Sequence, residues 1–88
     1  MAQLILSDRF RKNLRDFLRK HPELRATIKE RFEILEQNPG DPRLKTHKLT
    51  GKLKGFLAAS VTFEYRIVFR VGKDTIFLFA IGSHEEVY

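Results

Sequence analysis

YRIVFRVGKDTIFLFAI, residues 65–81, decides the architecture. Tyr65, Ile67, Phe69 and Val71 alternate with Arg66, Val68 and Arg70, the two-residue period of a half-buried strand. Gly72-Lys73-Asp74 supplies a tight turn. Thr75 to Ile81 is then apolar on both faces, as a central strand covered on each side has to be. Just upstream, Phe56, Leu57, Ala59, Val61 and Phe63 punctuate a further strand. The C-terminal part therefore predicts three consecutive strands.

The N-terminal part carries a different period. Ala2 to Leu6 is short, apolar and partly β-branched, and reads as a first strand. Ser7 sits where a helix N-cap belongs, with Asp8 placed to favour the helix dipole. Phe10, Leu14, Phe17 and Leu18 follow at helical spacing, opposite a face made of Arg9, Arg11, Lys12, Arg15 and Arg19. His21-Pro22 ends this helix, Pro22 being suited to open the next, and His21 reads as a cap or surface residue. Leu24, Ile28, Phe32 and Leu35 form a second stripe, closed by Asn38-Pro39-Gly40. The predicted class is α+β in the order β-α-α-β-β-β. A helical hairpin packs on a mostly antiparallel four-stranded sheet.

With 88 residues, the chain fits one domain, 1–88. It contains no cysteine, no signal-like leader and no run near the roughly 20 apolar residues of a membrane span. A cytoplasmic protein is expected. The charge is uneven. Residues 1–55 hold fourteen Lys and Arg against seven Asp and Glu, while residues 56–88 hold three against four. Such a basic half attracts polyanions, whether nucleic acid, an anionic membrane or an acidic partner protein.

Most of the unusual chemistry lies in Arg43 to Gly55, RLKTHKLTGKLKG, with five bases, one His, two Gly and no acid. Leu44, Leu49 and Leu53 anchor it as an ordered loop or short strand. Lys45, Lys48, Lys52 and Lys54 are candidates for RNA binding. His47 among them is a candidate base or hydrogen-bond donor beside a phosphate. Arg66 and Arg70 share a strand parity and are expected to leave the sheet on one side, where two guanidinium groups can clamp a phosphate. Glu64 precedes that strand as a second candidate base, or as a partner for a lysine. His84 follows Gly82-Ser83 with the parity of Ile76, Leu78 and Ala80, and Tyr88 offers a ring on which a base can stack. No Gly-rich phosphate loop, Ser-His-Asp set or metal-ligand spacing is present, so no metal or other cofactor is expected. Phosphodiester cleavage without metal points to RNA, whose 2′-OH is a built-in nucleophile.

His47-Lys-Leu-Thr-Gly-Lys-Leu-Lys-Gly55, then Tyr65 to Arg70, then Ile81-Gly-Ser-His-Glu-Glu-Val-Tyr88 resemble the RelE/ParE superfamily of bacterial toxins, and within it the YafQ-like messenger-RNA endonucleases. The resemblance spans essentially the whole chain. It implies a toxin that cuts messenger RNA in the ribosomal A site and is held inactive by a cognate antitoxin. It also implies roles. His84 matches the family histidine regarded as general acid, and His47 the histidine of the H-x-L-x-G segment. Glu64 falls where the family has a catalytic Asp, with a longer reach. Ser60 stands where YafQ-type members carry another histidine, so the three-histidine set is incomplete. RelE itself relies on Lys, Arg and a C-terminal Tyr, roles for which Lys52, Lys54, Arg66 and Tyr88 are the counterparts. The implied reaction has Glu64 or His47 taking the 2′-OH proton. Arg66, helped by Lys54, stabilises the phosphate, and His84 protonates the leaving oxygen. Two other classes compete: a ParE-like gyrase inhibitor on the same fold, and a non-catalytic RNA-binding module.

Overall fold

Five strands, rather than four, make up the sheet of the computed structural model, which describes residues 2–87. The order along the sheet is β1 (Gln3–Leu6), β5 (Thr75–Ser83), β4 (Tyr65–Val71), β3 (Leu57–Ser60) and β2 (His47–Lys48). β1 runs parallel to β5; every other pairing is antiparallel. The strand absent from the four-stranded expectation is β2, two residues of the basic segment that pair with Leu57 and Ala58. Two residues are too short to show a hydrophobic period, but they lie in the Arg43–Gly55 segment expected to be an ordered loop or short strand.

Helices α1 (Asp8–Lys20) and α2 (Arg25–Gln37) follow β1. The Ser7 hydroxyl accepts from the Phe10 amide at 3.1 Å, the N-cap expected from the sequence. Pro22–Leu24 forms a single 3₁₀ turn between the helices, with proline at its first position where a missing N–H costs nothing. His21 is more than a surface cap. Its ring lies 4.7 Å from those of both Phe17 and Tyr65 and ties the inter-helix corner to β4.

Both stripes face the sheet. Phe10, Phe17, Ile28 and Leu35 are buried with Ile34, Leu44, Ile67, Phe69, Ile76, Leu78 and Ile81, and Leu14, Leu18, Leu24 and Phe32 pack against them. On the other face of the sheet Phe56 and Phe79 stack at 4.8 Å. The Arg70 guanidinium lies over Phe56 and Phe77, and Arg9 over Phe79.

Strand β5 changes face partway along. Val68 pairs with Ala80 but Phe69 pairs with Leu78, so Phe79 is an extra residue, a β-bulge. Beyond it the parity inverts, and Ile81 joins Ile76 and Leu78 in the core. The parity expected for His84 is therefore corrected: the bulge separates it from Ile76 and Leu78. His84 in fact opens a short helix, α3 (His84–Val87).

β1 accompanies β5 only as far as Leu78, which leaves the edge beyond the bulge without a strand. Asn13 of α1 fills that gap. Its Oδ1 accepts from the Ile81 amide at 2.8 Å and its Nδ2 donates to the Ile81 carbonyl at 3.1 Å, imitating a neighbouring strand. Asn13→Ala is expected to lower the unfolding free energy by about 1–3 kcal/mol, because the Ile81 amide loses its partner. Urea denaturation measures this, and an unchanged midpoint would show that the bridge contributes nothing. No helix among the described residues is long and apolar enough to cross a membrane.

Candidate active site

The basic segment folds into a ridge with hollows on either side. Its entry is fixed by Asp41, whose carboxylate accepts from the Arg43 amide at 2.8 Å and from the Arg43 guanidinium at 2.9 and 3.0 Å. That pairing lowers the Asp41 pKa to about 2. A 3₁₀ turn, Pro42–Leu44, buries Leu44 and ends on Lys45 with φ 49°, a left-handed conformation that side chains seldom adopt. Gly51 (φ 67°) and Gly55 (φ 96°) bracket a second such turn, which returns the chain to β3. Leu44 is buried and Leu49 and Leu53 are half-buried, so the segment is anchored as expected.

His47 lies on this ridge between two open hollows of about 420 Å³ each. The first brings it together with His84, Lys48 and Lys52. The second joins it to Arg31, Arg43, Lys45, Ser60 and Arg66, with Phe63 at the rim. The fold thus brings both candidate histidines to one hollow, one from the middle of the sequence and one from near its C-terminal end. His47 Nδ1 sits 3.4 Å from the Lys45 carbonyl.

His84 is held by local chemistry that the sequence already contained. Ser83-His84-Glu85-Glu86 is a capping box. The Ser83 amide donates to Glu86 Oε1 at 2.9 Å, and the Glu86 amide donates to Ser83 Oγ at 3.3 Å. The Ser83 amide, and after it the Ser83 hydroxyl, holds the Glu86 carboxyl below its ordinary range. His84 is the first residue of this turn and is exposed. Gly82 beneath it leaves room for Glu86 and Val87: a Cβ there would come within 3.1–3.4 Å of their side chains.

The arginine clamp does not form. Arg66 bends back over its own turn, with Nη1 donating to the carbonyls of Thr62 (2.9 Å), Phe63 (2.8 Å) and Tyr65 (3.3 Å). Arg70 lies over the Phe56 and Phe77 rings and lines neither hollow. Strand alternation governs where Cβ points, whereas a guanidinium four bonds further on goes to whichever acceptors or rings it can reach. Glu64 is exposed on the β3–β4 turn, also outside both linings. Lys54 lines a third hollow with Phe56, Leu57 and Val71, apart from Arg66. Tyr88 falls outside the described residues. Arg31 is the participant that sequence reading missed. It comes from α2, donates to the Ser60 carbonyl at 3.1 Å and pairs with Glu30, and no periodicity or motif sets it apart.

The two hollows differ in how far their charge is neutralised. Arg43 and Arg31 are paired with Asp41 and Glu30. Among the described residues no carboxylate lies within ion-pair distance of Lys45, Lys48 or Lys52. Nor do three or more His, Asp or Glu side chains converge there to hold a metal ion. The arrangement offers two imidazoles in a lysine-lined hollow, one of them continuing into a second cationic hollow. It can hold a phosphodiester and move protons on either side of it.

A family model for the bacterial toxin of a type II toxin–antitoxin system, YafQ, matches residues 2–88. The chain belongs to the YafQ toxin family. Among solved structures it is similar to a copper-bound point mutant of a toxin from Helicobacter pylori, with 28% identity, TM-score 0.85 and full coverage of both chains. It shares its fold with YafQ from E. coli strain BL21(DE3), at 18% identity and TM-score 0.84, covering 100% of this chain and 99% of that one. The same holds for the YoeB–YefM complex from Staphylococcus aureus, at 19% identity and TM-score 0.77, covering 96% and 98%. No curated protein matches by sequence. Membership of a YafQ family makes this chain a type II toxin, on a RelE-like fold.

Proposed function

We propose that this YafQ-family toxin is an endoribonuclease that cuts messenger RNA in the ribosomal A site, in the cytoplasm. The observation that carries the reading is the meeting of His47 and His84 in one hollow with Lys48 and Lys52. Two imidazoles flanking a phosphodiester provide both halves of general acid–base catalysis. In the proposed step the ribose 2′-oxygen attacks the adjacent phosphorus and its proton passes to His47. The bond from phosphorus to the 5′-oxygen breaks, and that oxygen takes a proton from His84. The products are a 2′,3′-cyclic phosphate and a free 5′-hydroxyl.

Placement favours His47 over Glu64 as the base, because Glu64 lies outside both hollows. Lys48 and Lys52 screen the phosphate under attack, and Lys45 and Arg66 hold the neighbouring one. Lys54, in the adjoining hollow, contributes to the path of the RNA backbone rather than to the reacting phosphate. The partner protein is an antitoxin, by analogy with the YoeB–YefM complex, and its acidic and apolar residues complement the basic ridge.

Adding the purified protein to translating ribosomes should produce discrete cuts in the message, with 5′-hydroxyl and cyclic-phosphate ends. Loss of gyrase supercoiling activity with intact message would instead establish the ParE-like reading. Growth arrest with neither lesion would leave a non-catalytic RNA binder.

A further inference from the structure

Phe63 is 92% exposed, against 47% for Val71 and 36% for Ile5, the other large apolar residues on the surface among those described. Ile5 is on β1 at the far edge of the sheet and Val71 at the opposite end of β4, so Phe63 belongs to no apolar patch. Nor is it the tip of a loose loop. Ser60 Oγ donates to the Thr62 carbonyl at 2.9 Å, and the Glu64 amide to Thr62 Oγ1 at 3.3 Å. Arg66 takes the carbonyls on both sides, including that of Phe63 itself, and Arg31 holds the Ser60 carbonyl. The turn is pinned from both ends, so the ring is presented to solvent by a fixed backbone.

The ring stands at the rim of the hollow that holds Arg31, Arg43, Lys45, His47 and Arg66. An aromatic face beside a cluster of cations matches a nucleotide: the base stacks on the ring and the phosphate meets the charges. A protein partner that plugs onto an apolar residue wants a contiguous apolar surface, and here there is none. We propose that Phe63 is the stacking platform for an RNA base, and that the flanking phosphate of that nucleotide occupies the Lys45–Arg66 hollow. This rests on RNA being the substrate. It extends that reading by placing a base-binding subsite on the β3–β4 turn, one hollow away from His84.

The chain contains no tryptophan, so Phe63→Trp introduces the only indole. A short single-stranded RNA oligonucleotide is titrated at low ionic strength, with binding followed separately by filter retention. Stacking quenches the indole emission as the RNA binds, at near wild-type affinity. Phe63→Ala is expected to weaken binding about 5- to 150-fold, and Phe63→Leu to lose as much, because leucine is apolar but cannot stack. Thermal melting should be unchanged in all three variants, since the side chain packs against nothing that holds the fold. An unquenched indole in a bound complex, or wild-type affinity in Phe63→Ala, overturns the platform while leaving the RNA reading intact. Wild-type affinity in Phe63→Leu overturns it too, because an aromatic ring is then not needed for RNA binding. A wild-type protein that binds no free RNA overturns the platform, while the cleavage assay on translating ribosomes decides the substrate reading separately.

Discussion

Replacing His84 by alanine should slow cleavage of ribosome-bound messenger RNA about 10²- to 10⁴-fold, the usual contribution of a positioned acid or base. Melting temperature should barely move. His84 is exposed on the first residue of α3, and the capping box that builds the turn uses Ser83 and Glu86, not the imidazole. Single-turnover rates with saturating ribosomes measure the chemical step, and a thermal scan of the same sample checks the fold. His47→Ala should cost a similar factor. The double variant should fall little further than either single one, because residues that act as a unit are not additive. A folded His84→Ala protein that cuts at the wild-type rate would remove the imidazole from the mechanism.

The second large effect concerns stability. Phe69→Ala is expected to cost about 3–5 kcal/mol, by lost burial and by the cavity left behind. Phe69 is fully buried at the middle of β4, in register with Leu57 of β3 and Leu78 of β5, and belongs to the cluster formed with both helices. For a domain of this size, whose whole stability is on the order of 5–15 kcal/mol, that is a large share. The corresponding fall in Tm is roughly 12–40 °C. Calorimetry on Phe69→Ala beside Phe63→Ala makes the contrast direct, since the second ring is almost wholly in water. A loss below about 1 kcal/mol at Phe69 would mean that the core closes over the gap.

Much of this architecture was legible in the sequence because two periods divide the chain cleanly. The helical stripes from Phe10 to Leu35 bury the side they predict, and so do Tyr65, Ile67 and Phe69 of the strand alternation, whereas Val71 ends up exposed and Val68 is buried on the other face. What escaped were features with no period. β2 is two residues long, and the bulge at Phe79 inverts a parity that apolar residues on both faces could not reveal. The candidate site shows the same division. His47 and His84 were recognisable as residues, but their meeting depends on β2 pairing with β3 and on α3 closing back over Gly82. Arg66 and Arg70 were expected to act together, and backbone carbonyls and phenylalanine rings draw them apart. The Ser83–Glu86 box that holds His84 was not among the features expected from the sequence, although a Ser three residues before a Glu is its signature.

The pairing of β1 with β5 also bears on the order in which the molecule is expected to assemble. β3, β4 and β5 follow one another closely in sequence and can zip as a meander, whereas Gln3–Leu6 finds its partners only at Thr75–Leu78. Closing so long a loop has an entropic cost before any contact offsets it, and sheets built this way fold slowly. β1 is therefore expected to dock late, which the rate of protection of the Thr75–Leu78 amides in pulsed hydrogen exchange would measure. An intermediate lacking β1 would expose the edge of β5 from Thr75 to Leu78, a row of unpaired amides and carbonyls ready to take a strand from another chain.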